Sequence, residues 1–176
     1  ITGVRLSSYR NFIKAFGMIK KACIIANGRL GLIKKEIVDA VSQACDEVIE
    51  GKLDKEFVVD MIQGGAGTST NMNANEVIAN RALEILGKEK GDYTTVSPND
   101  HINKCQSTND TYPSSGKLGM YLDHFELVAE LEKLIEAFEK KAEEFKDVLK
   151  MGRTQLQDAV PMTLGPVSYT HLRAHE

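Results

Sequence analysis

One amphipathic pattern runs through the C-terminal half of the chain, and few folds can accommodate it. Apolar residues recur about every 3.5 positions between Leu118 and Leu149, which predicts a single long α-helix ended by Gly152. At 1.5 Å per residue this helix would be roughly 48 Å long. It could not bury its apolar face alone, and no other segment predicts a helix of matching length, so we expect partner helices from further sequence or from other subunits. The apolar seam consists of Leu118, Leu122, Phe125, Val128, Leu131, Ile135, Phe138, Ala142, Phe145 and Leu149.

The N-terminal half predicts three shorter helices separated by polar breaks. Apolar residues at steps of three and four mark the first two, over 12–28 and 33–51, and each ends at a glycine. A capping-box-like start and a closing glycine mark the third, over 73–87. The only modest strand signal lies at 92–96. The predicted fold class is therefore mainly α.

Composition and charge exclude several classes of protein. Hydrophobic residues make up 42% of the 176 residues, too many for a disordered chain, and no apolar run approaches the roughly 20 residues of a membrane-spanning helix. The net charge of −3 gives no basic surface for nucleic acid and no polybasic patch for a membrane. Three widely spaced cysteines offer no disulfide framework and no signal peptide is visible, so we expect a cytoplasmic protein. The start at Ile1 rather than Met favours a piece of a longer sequence.

Three segments rich in small polar residues interrupt the amphipathic rhythm, at 63–73, 97–110 and 151–165. The first is glycine-rich and precedes a helix, so its backbone amides and hydroxyls could hold an anion. It lacks both the Gly-Lys-Ser/Thr of a P-loop and the third glycine of a dinucleotide fingerprint. In the second segment, Asp110 is the predicted N-cap of the long helix. Each segment taken singly is also consistent with a loop and a helix cap, but the hydroxyls and amides of all three suit a small carboxylate substrate.

The same three segments resemble the fumarase/aspartase superfamily, in the order in which its members carry them. The matching runs are GGAGTSTNMNANEVIANRALEILG, SPNDHINKCQSTND and KMGRTQLQDAVPMTLG. The resemblance covers Ile1 to Gly165. Fumarate hydratases of this superfamily usually have His where this chain has Gln155, so the third run favours the aspartase branch.

The resemblance also implies how the chain is divided. Residues 1–100 would form part of the N-terminal lyase domain, and 101–165 would form the start of the central bundle of long helices. Residues 166–176 depart from the family's continuation and are interpreted as a non-native tail. His171 and His175 in this tail are four positions apart, but the zinc-protease motif requires Glu directly after the first His, so no metal site is predicted.

The activity that the resemblance implies is a reversible anti-elimination of ammonia from L-aspartate, which gives fumarate. A base removes a weakly acidic C–H proton beside a carboxylate, and pre-aimed hydrogen-bond donors must stabilise the resulting aci-carboxylate. By similarity, Thr68, Ser107 and Thr108 are the catalytic residues that hold this carboxylate. The other implied site residues are Ser69, Asn109, Thr154 and Gln155 for substrate binding, and Ser97, Asn99 and Asp100 for a secondary carboxylate site.

The resemblance further implies partners and missing parts. Family members are homotetramers whose active sites combine residues from three subunits, and they need no organic cofactor. Some aspartases respond to divalent cations, but this sequence marks no metal site. The family's catalytic serine loop lies downstream of the segment that matches Gly165, so we expect the chain to be inactive alone. Two alternatives stay open, a class II fumarate hydratase and a non-catalytic helical fragment.

Overall fold

A computed structural model describes residues 1–167, which belong to two compact units, one over Ile1–Asp123 and the other from His124 onward. Helices dominate the structure, so the predicted mainly-α class is confirmed. The predicted division after residues 100 and 165 concerns the family's domains and stays a prediction. The main elements are α1 (Arg10–Arg29), α2 (Lys35–Ile49), α3 (Thr68–Ile85), α4 (Thr108–Glu144), β1 (Leu149–Thr154) and β2 (Gln157–Thr163).

The first unit is built on a core shared by α1, α2 and α3. Phe16, Val41 and Ile78, one from each helix, are at most 1% exposed. Burial of a large apolar side chain of this kind contributes roughly 1.5–3 kcal/mol. Arg81 on α3 adds a two-pronged ion pair to Glu47 on α2, with N–O distances of 2.6 and 2.9 Å. The core therefore fixes where the first turn of α3 lies.

Helix α1 continues past its predicted stop, because the glycine there serves packing rather than termination. Gly28 lies inside the helix, and a Cβ at this position would come within 2.8 Å of Val38 on α2. The neighbouring Asn27 is buried, and its Nδ2 donates to the Lys104 carbonyl at 3.0 Å. Helix α1 ends instead just before Gly31, whose φ is +71°.

Helix α3 begins at Thr68, five residues before its predicted start at Asn73. The residue before it, Gly67, has a left-handed backbone. The Nδ2 of Asn73 does not cap the helix but donates to the Glu56 carbonyl at 3.1 Å. The first turn of α3 consists of polar residues, so apolar periodicity does not mark the start of this helix.

Helix α4 begins at Thr108, and its cap is Ser107 rather than the predicted Asp110. The Oγ of Ser107 accepts the N–H of Asn109 at 3.1 Å. The carbonyl of Ser107 accepts the N–H of Asp110, which is therefore already inside the first turn. Both residues are good caps in isolation, and the local geometry selects the earlier one.

In the second unit the chain leaves α4 at Glu144 and forms a β-hairpin, so the predicted helix end at Gly152 is wrong. Strands β1 and β2 pair antiparallel, with an irregularity after Met151. Phe145 and Leu149 continue the spacing of the seam but lie outside the helix. Strand β1 forms only by pairing with β2, which comes later in the sequence. A search for helical periodicity cannot detect such a pairing.

The predicted strand over 92–96 is also wrong, because this segment folds as turns. The carboxylate of Asp92 accepts the hydroxyls of Thr94 at 2.5 Å and Thr95 at 2.7 Å. Such local side-chain hydrogen bonds offer an alternative to strand pairing. Residues that suggested a strand thus stabilise a turn.

Part of α4 presents large apolar side chains to solvent. On the seam, Phe125 is 59% exposed and Ile135 is 37% exposed. The adjacent Leu127 and Leu134 are exposed as well. Exposed large apolar side chains along one helix favour association with another protein surface. None of the helices in residues 1–167 has the length and apolar character needed to cross a bilayer.

We expect the chain to self-associate through this seam. The substitution Ile135→Glu places a charge on the apolar contact surface, which should shift the sedimenting species toward monomer because an unpaired charge is costly to bury. Ala137→Glu adds the same charge at an exposed position off the seam and should leave association unchanged. A wild-type chain that sediments as a compact monomer would contradict this prediction.

Candidate active site

The N-cap of α3 and the first turn of α4 border one cleft in the first unit, with a volume of about 480 Å³. Helix α3 contributes its N-cap Gly67, and α4 contributes Thr108 and Asn109. Helix N-termini carry amide N–H groups without intrahelical acceptors and the positive end of the helix dipole, so two of them at one cleft favour an anion. The other lining residues are Met61, Ile62, Gln63, Ala66, Tyr112 and Pro113.

Gly67 is the residue that allows the two helices to approach. Its φ is +87°, and a Cβ there would lie 2.4 Å from ring carbons of Tyr112 on α4. The ring of Tyr112 meets that of Phe12 edge to face, with 5.6 Å between the centroids. It also lies 6.4 Å from the ring of Phe16, centroid to centroid. One wall of the cleft is thereby fixed to α1.

The glycine-rich loop before α3 is closed by Gln63. Its Nε2 donates to Thr70 Oγ1 at 2.6 Å, and its Oε1 accepts the Thr70 N–H at 3.0 Å. Thr68 and Ser69, the first residues of α3, are exposed. The Thr68 hydroxyl donates to the Gly65 carbonyl at 2.7 Å. It must leave this acceptor before it can donate to a ligand.

The second polar segment places three predicted site residues at the start of α4. Ser107 caps the helix, and Thr108 and Asn109 line the cleft. Thr108 Oγ1 accepts the Nδ2 of Asn71, a buried residue of α3, at 3.1 Å. The structure therefore brings residues of the first two polar segments to one cleft.

Behind the cleft lies a polar cluster that the sequence did not single out, in which Lys20, Asn71 and Asn75 are buried and Asn103 and Gln106 are half-buried. Asn71 and Asn75 of α3 both donate their Nδ2 to the Oδ1 of Asn103, at 3.1 and 3.2 Å. Lys20 of α1, which is 1% exposed, donates its Nζ to the same oxygen at 3.0 Å. The Lys20 Nζ also donates to Gln106 Oε1 at 2.9 Å. Within residues 1–167, no carboxylate forms an ion pair with this ammonium.

The sequence does contain a signal that Lys20 is unusual. The residue occupies the buried stripe of α1 between Phe16 and Ile24, where the spacing otherwise selects apolar side chains. Burial lowers the pKa of the Lys20 ammonium from 10.5 to about 8, while the nearby thiols of Cys23 and Cys45 act in the opposite direction. A lysine on the apolar face of a helix is therefore a candidate for a buried polar cluster.

Ser97, Asn99 and Asp100 lie at a π-helical turn, Pro98–Ile102. The Ser97 Oγ accepts the Asp100 N–H at 3.1 Å and donates to the Asp100 carboxylate at 3.0 Å. The Ser97 N–H donates to Nδ1 of His101, and burial lowers the pKa of that imidazole. These bonds stabilise the turn itself, and the secondary carboxylate site stays a prediction.

Thr154 and Gln155 belong to the second unit, at the tip of the β-hairpin. Thr154 ends β1, while Gln155 and Leu156 form the turn, with φ values of 51° and 64°. Two successive left-handed residues are typical of a type I′ hairpin turn, usually built from Asn and Gly. This turn has neither, so the sequence held no signal for it. Thr154 and Gln155 are exposed, and Leu156 is 100% exposed.

No group of three His, Cys, Asp or Glu side chains in residues 1–167 is arranged to hold a metal ion. His171 and His175 lie outside the described residues, as does the rest of 168–176. The structure therefore leaves the interpretation of 166–176 as a prediction.

A family model described as a lyase matches residues 3–176. The aspartate ammonia-lyase of Helicobacter pylori is 58% identical over 165 residues, which is 94% of this chain and 35% of that protein. The fumarate lyase:delta crystallin of Brucella melitensis in native form has a TM-score of 0.88 and 49% identity, covering 99% of this chain and 40% of the other. The class II fumarase of Schistosoma mansoni has a TM-score of 0.81 and 38% identity, covering 93% of this chain and 34% of the other.

The helical fold is that of the fumarase-type lyases to which the chain is similar. The chain belongs to the lyase family whose model it matches, and the predicted resemblance is confirmed. It spans about a third of the length of the curated relatives that it matches, 35% for the Helicobacter pylori protein. The family match includes 166–176, whereas the alignment with that relative covers 165 residues.

The fit of Gly67 against Tyr112 can be tested by Gly67→Ala. The new Cβ would clash with the ring of Tyr112, and alanine would be strained in the left-handed backbone conformation of this position. We therefore expect the free energy of unfolding to fall by about 2 kcal/mol or more. Urea denaturation of the chain measures this. Gly64→Ala in the same loop is the matched control, because a Cβ there meets nothing within 4 Å. Equal stability of the two variants would contradict the proposed fit.

The lowered pKa of Lys20 predicts a pH-dependent stability. Between pH 8 and 10.5 the unfolded chain holds the Lys20 proton and the folded chain releases it, so the free energy of unfolding should rise with pH. The contribution is up to about 3 kcal/mol. Denaturation of wild type and Lys20→Met across this range isolates it, because other titrating groups are common to both. A difference that does not change with pH would contradict the prediction.

Proposed function

We propose that the protein to which this chain belongs is an aspartate ammonia-lyase, which converts L-aspartate to fumarate and ammonia. The observation that carries the proposal is the cleft between the N-cap of α3 and the first turn of α4, whose polar lining, Gln63, Thr108, Asn109 and Tyr112, consists of neutral hydroxyl and amide groups among apolar residues. Neutral donors suit a dicarboxylate, because they strengthen as negative charge develops and do not hold the product too tightly. The identity with the Helicobacter pylori aspartate ammonia-lyase supports this choice of reaction.

The reaction proceeds through a carboxylate that gains charge. A base removes the proton from the carbon beside that carboxylate, and the electron pair moves onto the carboxylate oxygens to give the aci form. The pair then returns to form the C=C bond of fumarate, while the C–N bond breaks and ammonia leaves. Donors aimed at the aci-carboxylate lower the barrier, because their hydrogen bonds are strongest at the intermediate.

In this proposal Thr68, Ser107 and Thr108 hold the carboxylate that becomes the aci form. Thr108 lines the cleft. Ser107 directly precedes α4, and Thr68 is the first residue of α3. The Thr68 hydroxyl has to exchange the Gly65 carbonyl for the substrate, so its contribution begins only on binding. The first amides of both helices add to the positive potential there.

Ser69, Asn109, Thr154 and Gln155 bind the second carboxylate or the amino group in this proposal. We further propose a homotetramer, in which hairpin tips and clefts of different subunits complete each site, and a reaction that needs no organic cofactor. The secondary carboxylate site at Ser97, Asn99 and Asp100 belongs to the same proposal. We expect the general base to come from the part of the relatives' length that this chain does not match.

Two other functions remain as alternatives. The first is a class II fumarate hydratase, but the identity with the Schistosoma mansoni class II fumarase is 38%, against 58% with the Helicobacter pylori aspartate ammonia-lyase. Gln155, where the resemblance implies His in fumarate hydratases, also favours the aspartase. The second alternative is a helical fragment without catalytic competence. The first alternative predicts turnover of fumarate and malate by the completed enzyme, and the second predicts no turnover.

A chimera tests the proposal. Residues 3–165 replace the aligned segment of the Helicobacter pylori aspartate ammonia-lyase, and the purified chimera is assayed with L-aspartate, with fumarate plus ammonia, and with fumarate in water. We expect reversible interconversion of aspartate and fumarate, because the chain would supply a competent carboxylate pocket. Interconversion of fumarate and malate without aspartate turnover would identify a fumarate hydratase.

The 176-residue chain alone is the control for this experiment. It is expected to show no turnover, because the base and the remaining substrate-holding groups are proposed to lie elsewhere. Measurable deamination by the chain alone would overturn that part of the proposal. A folded chimera without activity on any of these substrates would favour the non-catalytic alternative.

A further inference from the structure

Lys20 can only donate hydrogen bonds, and this property sets the direction of the bonds behind the cleft. An ammonium has three N–H groups and no lone pair, so the atom of Asn103 that faces it must be the amide oxygen. The same holds for Gln106, whose Oε1 accepts from the Lys20 Nζ. One buried cation thus orients two side-chain amides.

Asn103 passes this orientation on to α3. Because its oxygen is the shared acceptor, Asn71 and Asn75 have to present their Nδ2 groups to it. Asn75 does so although its own Oδ1 is buried and has no partner among residues 1–167. A buried orphan oxygen is unfavourable, so its presence indicates that the orientation is imposed by its neighbours.

Asn71 carries the orientation to the cleft. One Nδ2 hydrogen is used by Asn103 and the other by the Oγ1 of Thr108, at 3.1 Å each. The Oδ1 of Asn71 accepts the hydroxyl of Thr111 at 3.0 Å. Thr108 Oγ1 therefore accepts a hydrogen bond from Asn71. In the described part of the chain, the hydroxyl hydrogen of Thr108 has no acceptor. Because Thr108 lines the cleft, that hydrogen is available to a ligand.

We propose that Lys20 is a positioning residue that acts through Asn103 and Asn71 to make the Thr108 hydroxyl a hydrogen-bond donor toward the cleft. A carboxylate is bound by donors and repelled by lone pairs. With Asn71 reversed, Thr108 would donate to the Asn71 oxygen and turn its lone pairs to the anion. The catalytic consequence rests on the proposed function, whereas the orientation of the amides does not.

The kinetic test uses the active chimera. Lys20→Met has a side chain of similar length without donors, so we expect kcat/KM for L-aspartate to fall about tenfold or more. Lys20→Arg keeps a donor-only group and should recover part of the loss. Lys21→Met is the matched control, because Lys21 pairs with Asp46 outside this cluster and its loss should leave kcat/KM within about twofold.

A double-mutant cycle separates positioning from general stability. In a Thr108→Val background the hydroxyl is already absent, so adding Lys20→Met should cost little further activity. A residue that serves only the fold would lower kcat/KM by the same factor in both backgrounds, and that result would overturn the proposal. If Lys20→Met does not fold, Asn71→Asp replaces it, because the carboxylate inverts the bond to Thr108 at nearly unchanged size.

A structural readout is independent of activity. In the ¹⁵N-labelled 176-residue chain, the side-chain amide signals of Asn71 should shift in Lys20→Met and stay in place in Lys21→Met. Unshifted Asn71 signals in Lys20→Met would overturn the proposal even in an active enzyme. Shifted signals beside a wild-type chimera that does not deaminate aspartate would instead refute the proposed function and leave the orientation by Lys20 standing.

Discussion

The amide oxygen of Asn103 is the point at which the elements around the cleft are joined. Lys20 reaches it from α1 and Asn71 from α3, while Asn103 itself lies in the loop that leads to α4. Asn103 Nδ2 in turn donates to the carbonyl of Gln106, which fixes the approach to Ser107. Polar groups buried in this way are stable only when nearly all are satisfied together, so the cluster holds one arrangement rather than several.

The cluster does not have the composition that stability alone would select. A buried ammonium surrounded by neutral amides keeps its charge without a counterion, and burial therefore lowers its pKa. The apolar core of α1, α2 and α3 compensates for this cost. Unfavourable features that persist inside an otherwise regular fold are expected at functional sites. The position of this one, next to the cleft that we propose as the active site, agrees with that expectation.

Local sequence patterns predicted the helices but missed features that depend on distant partners. The apolar stripes of α1 and α2 were sufficient to predict these two helices, because apolar residues in each recur with the helical period over many residues. The hairpin was missed because β1 is defined by pairing with β2, and Leu149 happens to continue the helical spacing. Thr108 and Asn109 were proposed through family resemblance. The position of Lys20 on the apolar stripe of α1 was a local signal, but its role depends on cluster neighbours that lie far along the chain.

The tip of the hairpin has a consequence for how enzymes of this family diverge. Gln155, where the family resemblance implies His in fumarate hydratases, is exposed and has a left-handed backbone with φ of 51°. Histidine is among the residue types that adopt this backbone more readily than most. The choice between the two side chains is therefore nearly independent of folding. An exchange of Gln for His at this position should therefore need no stabilising changes elsewhere in the chain.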